Sequence, residues 1–200
     1  GGHGTHTAST AVGDVVSSAK VFGVERGPLA GTAPGAWLSV YKVLGPQGGF
    51  TSDIVAAIQQ AVKDGVDVIN FSIGGGGGGP DDPSMQAFRD AYAAGVFVSA
   101  SAGNSGPGAG TVDNFVPWVT TVAASTQRRE FVSTLTLRGG DDKATFEGAS
   151  ITGGAGPAPV VLAESLTGYT KACGTKPAAG AFAGKIVACE RGGNVARVDK

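Results

Sequence analysis

Amphipathic helical stripes that alternate with short apolar runs constrain the fold of this chain more than any other feature. Across residues 54–62, apolar side chains recur at i, i+3, i+4, i+7 and i+8, which predicts a helix that Ser52 caps. A second helix is predicted to start at Asp82 or Pro83, after a glycine run, and to end at Gly95. Four of its side chains are expected to face inward: Met85, Phe88, Ala91 and Tyr92.

Short apolar runs lie between and around these helices and predict buried strands. They are residues 37–44, 66–73, 96–100 and 119–124. Strands and helices that alternate with short connections are typical of a parallel sheet built from right-handed crossovers, so we expect an α/β fold. Such sheets bind ligands beyond the carboxyl ends of their strands, so functional side chains are expected in three glycine-rich loops. These are residues 45–50, 72–79 and 99–106.

The remaining segments carry weaker signals. Residues 4–12 are small and apolar enough to form a helix that Gly13 ends, whereas residues 23–35 are predicted to be a loop. Alternation of apolar and polar side chains at residues 131–137 predicts a half-buried strand, with a hairpin turn at residues 141–142.

The character of the chain changes toward its end. Helical periodicity is absent from residue 148 onward, and glycine and proline punctuate residues 153–157. Short apolar runs at residues 159–163 and 185–189 predict two more strands. We therefore expect a small β-rich module that begins near residue 150.

Charge and composition exclude several function classes. The 200 residues have a formal net charge of −1, which offers no electrostatic footprint for nucleic acid or an anionic membrane surface. No apolar run approaches the ~20 residues of a membrane span, so neither nucleic acid nor membrane is expected as a partner. The chain begins without methionine or an apolar leader, so we expect it to be the interior of something longer. Nothing in the sequence bears on the oligomeric state.

Both histidines of the chain, His3 and His6, lie in one run of small residues near its start. The unperturbed pKa of histidine is near neutrality, so such a pair suggests either proton transfer or metal ligation. Zinc would need further ligands, but the sequence has no third histidine and no glutamate between these two. The structural alternative is a buried capping pair.

Two of the glycine-rich loops are further candidates for chemistry. The glycine run at residues 74–79 matches a dinucleotide-binding pattern trivially, but Asp81 and Asp82 would stand where a phosphate has to bind. A flexible surface loop is the simpler interpretation. Asn104 follows a predicted strand among glycines, where its NH₂ group can donate to a ligand oxygen or the residue can serve only as a turn.

The two cysteines, Cys173 and Cys189, are too far apart for a redox dithiol motif and too few for a metal knuckle. Two buried free thiols are one interpretation. We favour a disulfide, which an exported protein permits and which would stabilise the fold by about 3 kcal/mol.

Three stretches, taken together, resemble the subtilisin-like serine proteases in their order and spacing. The histidine signature of that family is similar to GHGTHTAS at residues 2–9, and its substrate-binding strand is similar to VINFSIGG at residues 68–75. Its oxyanion-hole loop is similar to SAGNSGP at residues 101–107. Residues 184–192, GKIVACERG, resemble the core of the protease-associated module of cucumisin-like members.

The resemblance implies a three-layer fold, with helices on both faces of a parallel sheet. Residues 1–149 would be part of the catalytic domain, and residues 150–200 would be the start of the protease-associated module. His3 would be the general base, Asn104 would donate to the oxyanion, and His6 would be structural.

The resemblance also assigns the contacts with substrate. Residues from two loops would pair with the substrate backbone, which lies between them as an added strand. These residues are Gly48 and Gly49 on one side and Ser72, Ile73 and Gly74 on the other. The primary specificity pocket would be lined by Ser101, Ala102 and Gly103, whose small side chains leave room for a large apolar or aromatic side chain.

The family pattern implies a secreted endopeptidase that acts on polypeptides, but this chain carries only part of it. The triad aspartate of the family precedes the histidine and the Gly-Thr-Ser nucleophile motif comes later, and neither occurs here; Ser150 is interpreted as a loop serine. We therefore expect the chain alone to be inactive. No cofactor or metal is indicated, and the structural calcium of the family cannot be read from this sequence. The alternatives are a non-catalytic peptide- or partner-binding relative and a nucleotide-binding α/β domain.

Overall fold

The computed structural model describes residues 2–75, 78–128, 130–175 and 177–192. Its helices are α1 (His3–Val12), α2 (Thr51–Lys63) and α3 (Pro83–Ala93), with one 3₁₀ turn at Ala163–Ser165. Its strands are β1 (Val16–Val21), β2 (Val24–Leu29), β3 (Val68–Phe71), β4 (Phe97–Ser101), β5 (Thr120–Val122), β6 (Val132–Gly139), β7 (Asp142–Ala149), β8 (Val160–Leu162) and β9 (Ile186–Ala188). By contact the chain divides into two compact units, which are described separately: Gly1–Ala19 with Gly27–Arg129, and Lys20–Arg26 with Glu130–Lys200.

The first unit contains a parallel sheet with the order β3-β4-β5. Val68 lies opposite Phe97 in the first pair of strands, and Ser99 lies opposite Thr120 in the second. Because α2 precedes β3 and α3 connects β3 to β4, helices and parallel strands alternate as predicted. The predicted α/β class is therefore confirmed, and three of the four predicted strands are present. They were predicted to be buried, but only β4 contains buried residues, whereas β3 and β5 are partly exposed.

Helix α3 contributes more buried residues to the core of the first unit than any other described element. Met85, Phe88 and Ala91 are almost completely buried, and the ring of Phe88 packs edge-on against Phe71 with 5.0 Å between centroids. Tyr92 was predicted to face inward as well, and this is wrong, since it is 61% exposed. It lies at the end of the stripe, where its hydroxyl can stay in water.

The two long helices begin in different ways. Asp82 is the N-cap of α3, and its Oδ1 accepts hydrogen bonds from the N–H groups of Ser84 at 2.8 Å and Met85 at 3.2 Å. The predicted start at Asp82 or Pro83 is therefore confirmed. The predicted cap of α2 is wrong, because α2 begins at Thr51 and Ser52 lies inside its first turn. Its N-cap is Phe50, whose backbone carbonyl accepts hydrogen bonds from the N–H groups of Asp53 at 3.0 Å and Ile54 at 3.3 Å.

The predicted strand at residues 37–44 is wrong. Trp37 is fully exposed, and Val40 is also largely exposed. A strand forms only beside another strand, and the described residues place none next to this run. Its apolar character therefore does not produce a strand in this chain.

The predicted loop at residues 23–35 is also wrong in part. β2 begins at Val24 and pairs with β1 across the two residues Phe22 and Gly23. Both of these residues have positive φ, 49° and 77°, which is typical of tight two-residue turns between paired strands. Gly27 and Pro28 lie within β2, which explains why its composition did not indicate a strand.

The second unit contains two pairs of strands, one long and one short. β6 and β7 form an antiparallel hairpin with Val132 opposite Ala149, and the turn residues are Gly140 and Asp141. The predicted hairpin is confirmed, but its strands are almost entirely exposed and not half-buried. β8 and β9 pair in parallel where two late strands were predicted.

Cys173 and Cys189 form a disulfide within the second unit, with their Cα atoms 5.7 Å apart. The pairing favoured from sequence is therefore present. The division between the units falls at residues 129 and 130, before the β6–β7 hairpin, whereas the sequence placed a domain boundary at 149 and 150. Of the helices in the described part of the chain, none has the length and apolar character needed to cross a bilayer.

Candidate active site

One cavity of about 400 Å³ lies in the first unit, beyond the carboxyl ends of β3 and β4 and beside the first turn of α1. Its lining residues are His3, Thr7, Ser72, Gly74, Gly75, Ser101, Gly103, Asn104, Ser105 and Asp113. Two of the three loops that the parallel-sheet rule indicated contribute to it. The cavity thus joins segments that are far apart in the sequence.

His3 reaches the cavity as the first residue of α1. The far end of this helix is held by backbone hydrogen bonds, because the N–H groups of residues 31–33 donate to three carbonyls of residues 10–13 at 2.8 to 3.0 Å. The close contact between residues 31–33 and the end of α1 requires glycine at position 31, since a Cβ on Gly31 would lie 2.3 Å from the nitrogen of Gly13. The helix that carries His3 is therefore anchored at its far end by residues 31–33.

The two histidines occupy different positions. His3 lines the cavity, whereas His6 is on the same helix outside the lining. Both side chains are exposed, so the alternative of a buried capping pair is wrong. Among the described residues, no three His, Cys, Asp or Glu side chains are grouped so that they could hold a metal ion.

The ends of β3 and β4 are joined by Asn114, a residue that the sequence analysis did not identify. Its side chain is buried, and its Nδ2 donates to the carbonyls of Ile73 and Ser101, both at 2.9 Å. Its own carbonyl accepts a hydrogen bond from Thr121 Oγ1 at 2.6 Å. Asn114 has φ of 55°, a conformation that asparagine tolerates better than most residues. One side chain therefore bridges the two strand ends that border the cavity.

The three residues predicted to pair with the substrate do not all face the cavity. Ser72 and Gly74 line the cavity, but Ile73 does not. The carbonyl of Ile73 accepts from Asn114 Nδ2 and from Ser101 Oγ, the latter at 3.3 Å. A carbonyl oxygen has two lone pairs, so this one is already engaged within the protein.

Asp113 is a second residue that the sequence analysis missed. Its Oδ2 accepts a hydrogen bond from the N–H of Gly75 at 2.9 Å. A Cβ on Gly74 would lie 2.6 Å from this oxygen, and one on Gly103 would lie 2.5 Å from it. The carboxylate therefore fits between two loops only because both positions are glycine.

The remaining predicted residues are distributed as follows. Asn104 is exposed and lines the cavity. Ala102 lies outside the lining; its N–H donates to Val122 at 2.9 Å, and its carbonyl accepts from the N–H of Asp113 at 3.0 Å. Gly48 and Gly49 are also outside the lining, and Gly48 closes a tight turn with Gly45 through backbone hydrogen bonds.

Comparison with known proteins gives a consistent result. The model of the Subtilase family matches residues 1–188. Subtilisin-like protease SBT1.4 of Arabidopsis thaliana is 43% identical over 208 residues, and subtilisin-like protease SBT1.5 of the same plant is 44% identical over 211 residues. The chain belongs to the subtilase family.

These matches cover nearly all of this chain but only a small part of each relative. The alignment with SBT1.4 covers 100% of this chain and 26% of that protein, and the alignment with SBT1.5 covers 96% and 26%. The chain therefore spans about a quarter of the length of these curated relatives. Among solved structures, the S41 psychrophilic protease is 37% identical and aligns over 60% of this chain and 38% of its own, with a TM-score of 0.45.

Proposed function

We propose that these 200 residues form part of the active site of a secreted serine endopeptidase, with His3 as general base and Asn104 as oxyanion-hole donor. The observation that carries the proposal is that one cavity collects His3, Ser72, Gly74 and Asn104. These residues come from three separate motifs of the subtilase pattern. Relatives named as subtilisin-like proteases support polypeptide substrates.

His3 would take the proton from a serine hydroxyl as that oxygen attacks the scissile carbonyl, and would return it to the departing amine. The Nδ2 group of Asn104 would donate to the oxyanion that forms on the attacked carbonyl. Its exposure at the cavity wall leaves this donor accessible.

Substrate would bind as an added strand. Ser72 and Gly74 border the cavity and would pair with the substrate backbone, while the carbonyl of Ile73 is engaged by Asn114 and would take no part. Gly48 and Gly49 would lie on the other side of the substrate. Residues 101–103 would form walls of the primary specificity pocket.

The rest of the machinery would come from sequence outside these 200 residues. The triad aspartate and the nucleophilic serine belong there, together with the strands that complete a three-layer parallel sheet. Residues 150–200 would be the start of a protease-associated module. On this proposal the chain by itself is inactive.

The nucleotide-binding alternative has no support at the helix that follows the glycine run. The first N–H groups of α3 are already accepted by the carboxylate of Asp82. A phosphate at this position would have to displace that carboxylate and would meet its charge.

A serine-directed fluorophosphonate tests the proposal. The full-length protein that carries these residues should be labelled stoichiometrically, and the isolated 200-residue chain should not be labelled. Labelling of the isolated chain would place a nucleophilic serine within it, which contradicts the division of the active site. A folded full-length protein that is not labelled but binds peptides would instead be a non-catalytic relative.

A further inference from the structure

We propose that Asp113 makes the primary specificity pocket select a cationic substrate side chain, lysine or arginine, next to the cleaved bond. The inference rests on the proposed function, because it names the substrate class of the same site. Small pocket walls alone favour a large apolar or aromatic side chain. The carboxylate of Asp113 adds a charge that those walls do not supply.

The position of the carboxylate comes from contacts with both sides of the pocket. Asp113 lines the same cavity as Ser101 and Gly103. Its Oδ2 is held by the N–H of Gly75 at 2.9 Å and lies in close contact with Gly74 and Gly103. The side chain is therefore fixed between the substrate-pairing strand and the pocket wall.

Among the described residues, no lysine, arginine or histidine forms an ion pair with this carboxylate. The described residues that line the cavity are glycine, serine, threonine, asparagine, one histidine and Asp113, with no lysine or arginine among them. Within the described part of the chain, no ion pair involves Asp113, and the Gly75 N–H is the hydrogen-bond donor seen for its side chain.

A carboxylate has about four acceptor sites on its two oxygens, so one hydrogen bond to Oδ2 leaves Oδ1 able to accept more. Asp113 is half-buried, so its charge is less screened than that of a fully exposed side chain. An ammonium or guanidinium group in the cavity would form a charge-assisted hydrogen bond with it. A neutral side chain would desolvate the carboxylate without providing a partner.

The experiment compares hydrolysis of matched peptides by the full-length protein and its variants. The peptides differ only in the residue before the cleaved bond, which is lysine, norleucine or phenylalanine; norleucine has the lysine chain without its ammonium group. We expect kcat/KM for the lysine peptide to exceed that for the norleucine peptide by about tenfold or more.

Asp113→Asn tests the charge with little change in shape, since the asparagine Oδ1 can still accept from Gly75. We expect this variant to lose the preference for lysine over norleucine. The matched control is Asp81→Asn, which removes the same charge from an exposed residue outside the cavity lining and should keep the preference.

The outcomes separate this inference from the proposed function. If the wild-type protein cleaves the norleucine or phenylalanine peptide with the same kcat/KM as the lysine peptide, the inference is wrong although the peptidase assignment stands. This result needs only the wild-type protein, so it decides the question even if the variant fails to fold. An unchanged preference in Asp113→Asn would also overturn it. If the folded wild-type protein cleaves none of the peptides and is not labelled by the fluorophosphonate, the proposed function fails, and the inference fails with it.

Discussion

At the scale of single residues, Asn114 has the clearest structural role near the site. Its buried amide donates to one carbonyl at the end of β3 and to another at the end of β4. Removing this side chain, which is 4% exposed, takes a hydrogen-bond donor from each carbonyl, and the Ile73 carbonyl keeps only the 3.3 Å hydrogen bond from Ser101 Oγ. Because an unsatisfied buried polar group costs about 1–3 kcal/mol, the total loss should be large for one residue.

We expect Asn114→Ala to lower the free energy of unfolding by about 2–4 kcal/mol. Urea unfolding followed by tryptophan fluorescence measures this in the first unit, which contains both Trp37 and Trp118. Asn114→Gly is the matched variant, because glycine also lacks the amide but accepts a φ of 55° without strain. A glycine variant within about 0.5 kcal/mol of the wild type would show that the backbone, and not the hydrogen bonds, makes the asparagine important.

A residue of the site could be predicted from sequence when it stands in a short motif, but not when only distant contacts place it there. His3, Ser72, Gly74 and Asn104 were predicted because each stands in a short motif, and the cavity brings them together. Asp113 and Asn114 were missed because their contacts are distant in sequence, with 38 residues from Asp113 to Gly75 and 41 from Asn114 to Ile73. An asparagine with positive φ is a weak local signal that does not reveal its partners.

At the scale of helices and strands, the predictions succeeded where an element carries its own signals. The Asp82-Pro83 start and apolar stripe of α3 are both local. Prediction failed for residues 37–44, because a strand also needs a neighbour, which periodicity cannot supply. It failed as well for β2, whose glycine and proline are unusual in a strand.

One side-chain contact ties the run at residues 37–44 to α2. Tyr41 Oη donates to Asp64 Oδ2 at 2.6 Å, and Gln60 Nε2 donates to Asp64 Oδ1 at 2.7 Å. The hydrogen bond to Asp64 raises the pKa of Tyr41 above its ordinary value of 10.0. The hydrogen bonds from Tyr41 and then Gln60 lower the pKa of Asp64 below 3.8.

These shifts predict the pH dependence of the contact. A lowered Asp64 pKa means that its stabilising contribution is present above its unfolded pKa and is lost as pH falls through the folded value. A raised Tyr41 pKa means that its contribution is present below its unfolded pKa and is lost as pH rises through the folded value.

Ultraviolet absorbance of tyrosinate, followed as pH rises, measures the titration of Tyr41 directly. The Tyr41→Phe variant shows which part of the signal comes from this residue. We expect Asp64→Ala to move the titration of Tyr41 to lower pH, because the charged acceptor is gone. Asp53→Ala, which removes a carboxylate from the first turn of the same helix, should leave it unchanged. Equal titration in the wild type and in Asp64→Ala would show that the contact is not formed in solution.

At the scale of the whole molecule, the chain consists of two compact units with different structural content. The first has the β3-β4-β5 sheet, the buried core and the candidate site, whereas the second has the β6–β7 hairpin, the β8–β9 pair and the Cys173–Cys189 disulfide. The chain belongs to the subtilase family, and it spans about a quarter of the length of the curated relatives it matches. The α/β class could be predicted because it follows from alternation along the chain. The division at residue 129 could not, because it depends on which strands pair in space.

The most direct test of the central claim is the kcat of the full-length protein with His3→Ala, with His6→Ala as the matched control on the same helix. We expect His3→Ala to lower kcat by about 10⁴-fold or more, a size carried over from subtilisin, where loss of the catalytic histidine has been measured. The control should stay near the wild-type kcat, and circular dichroism should show that both variants fold. An unchanged kcat in a folded His3→Ala protein would contradict the assignment of His3 as the general base.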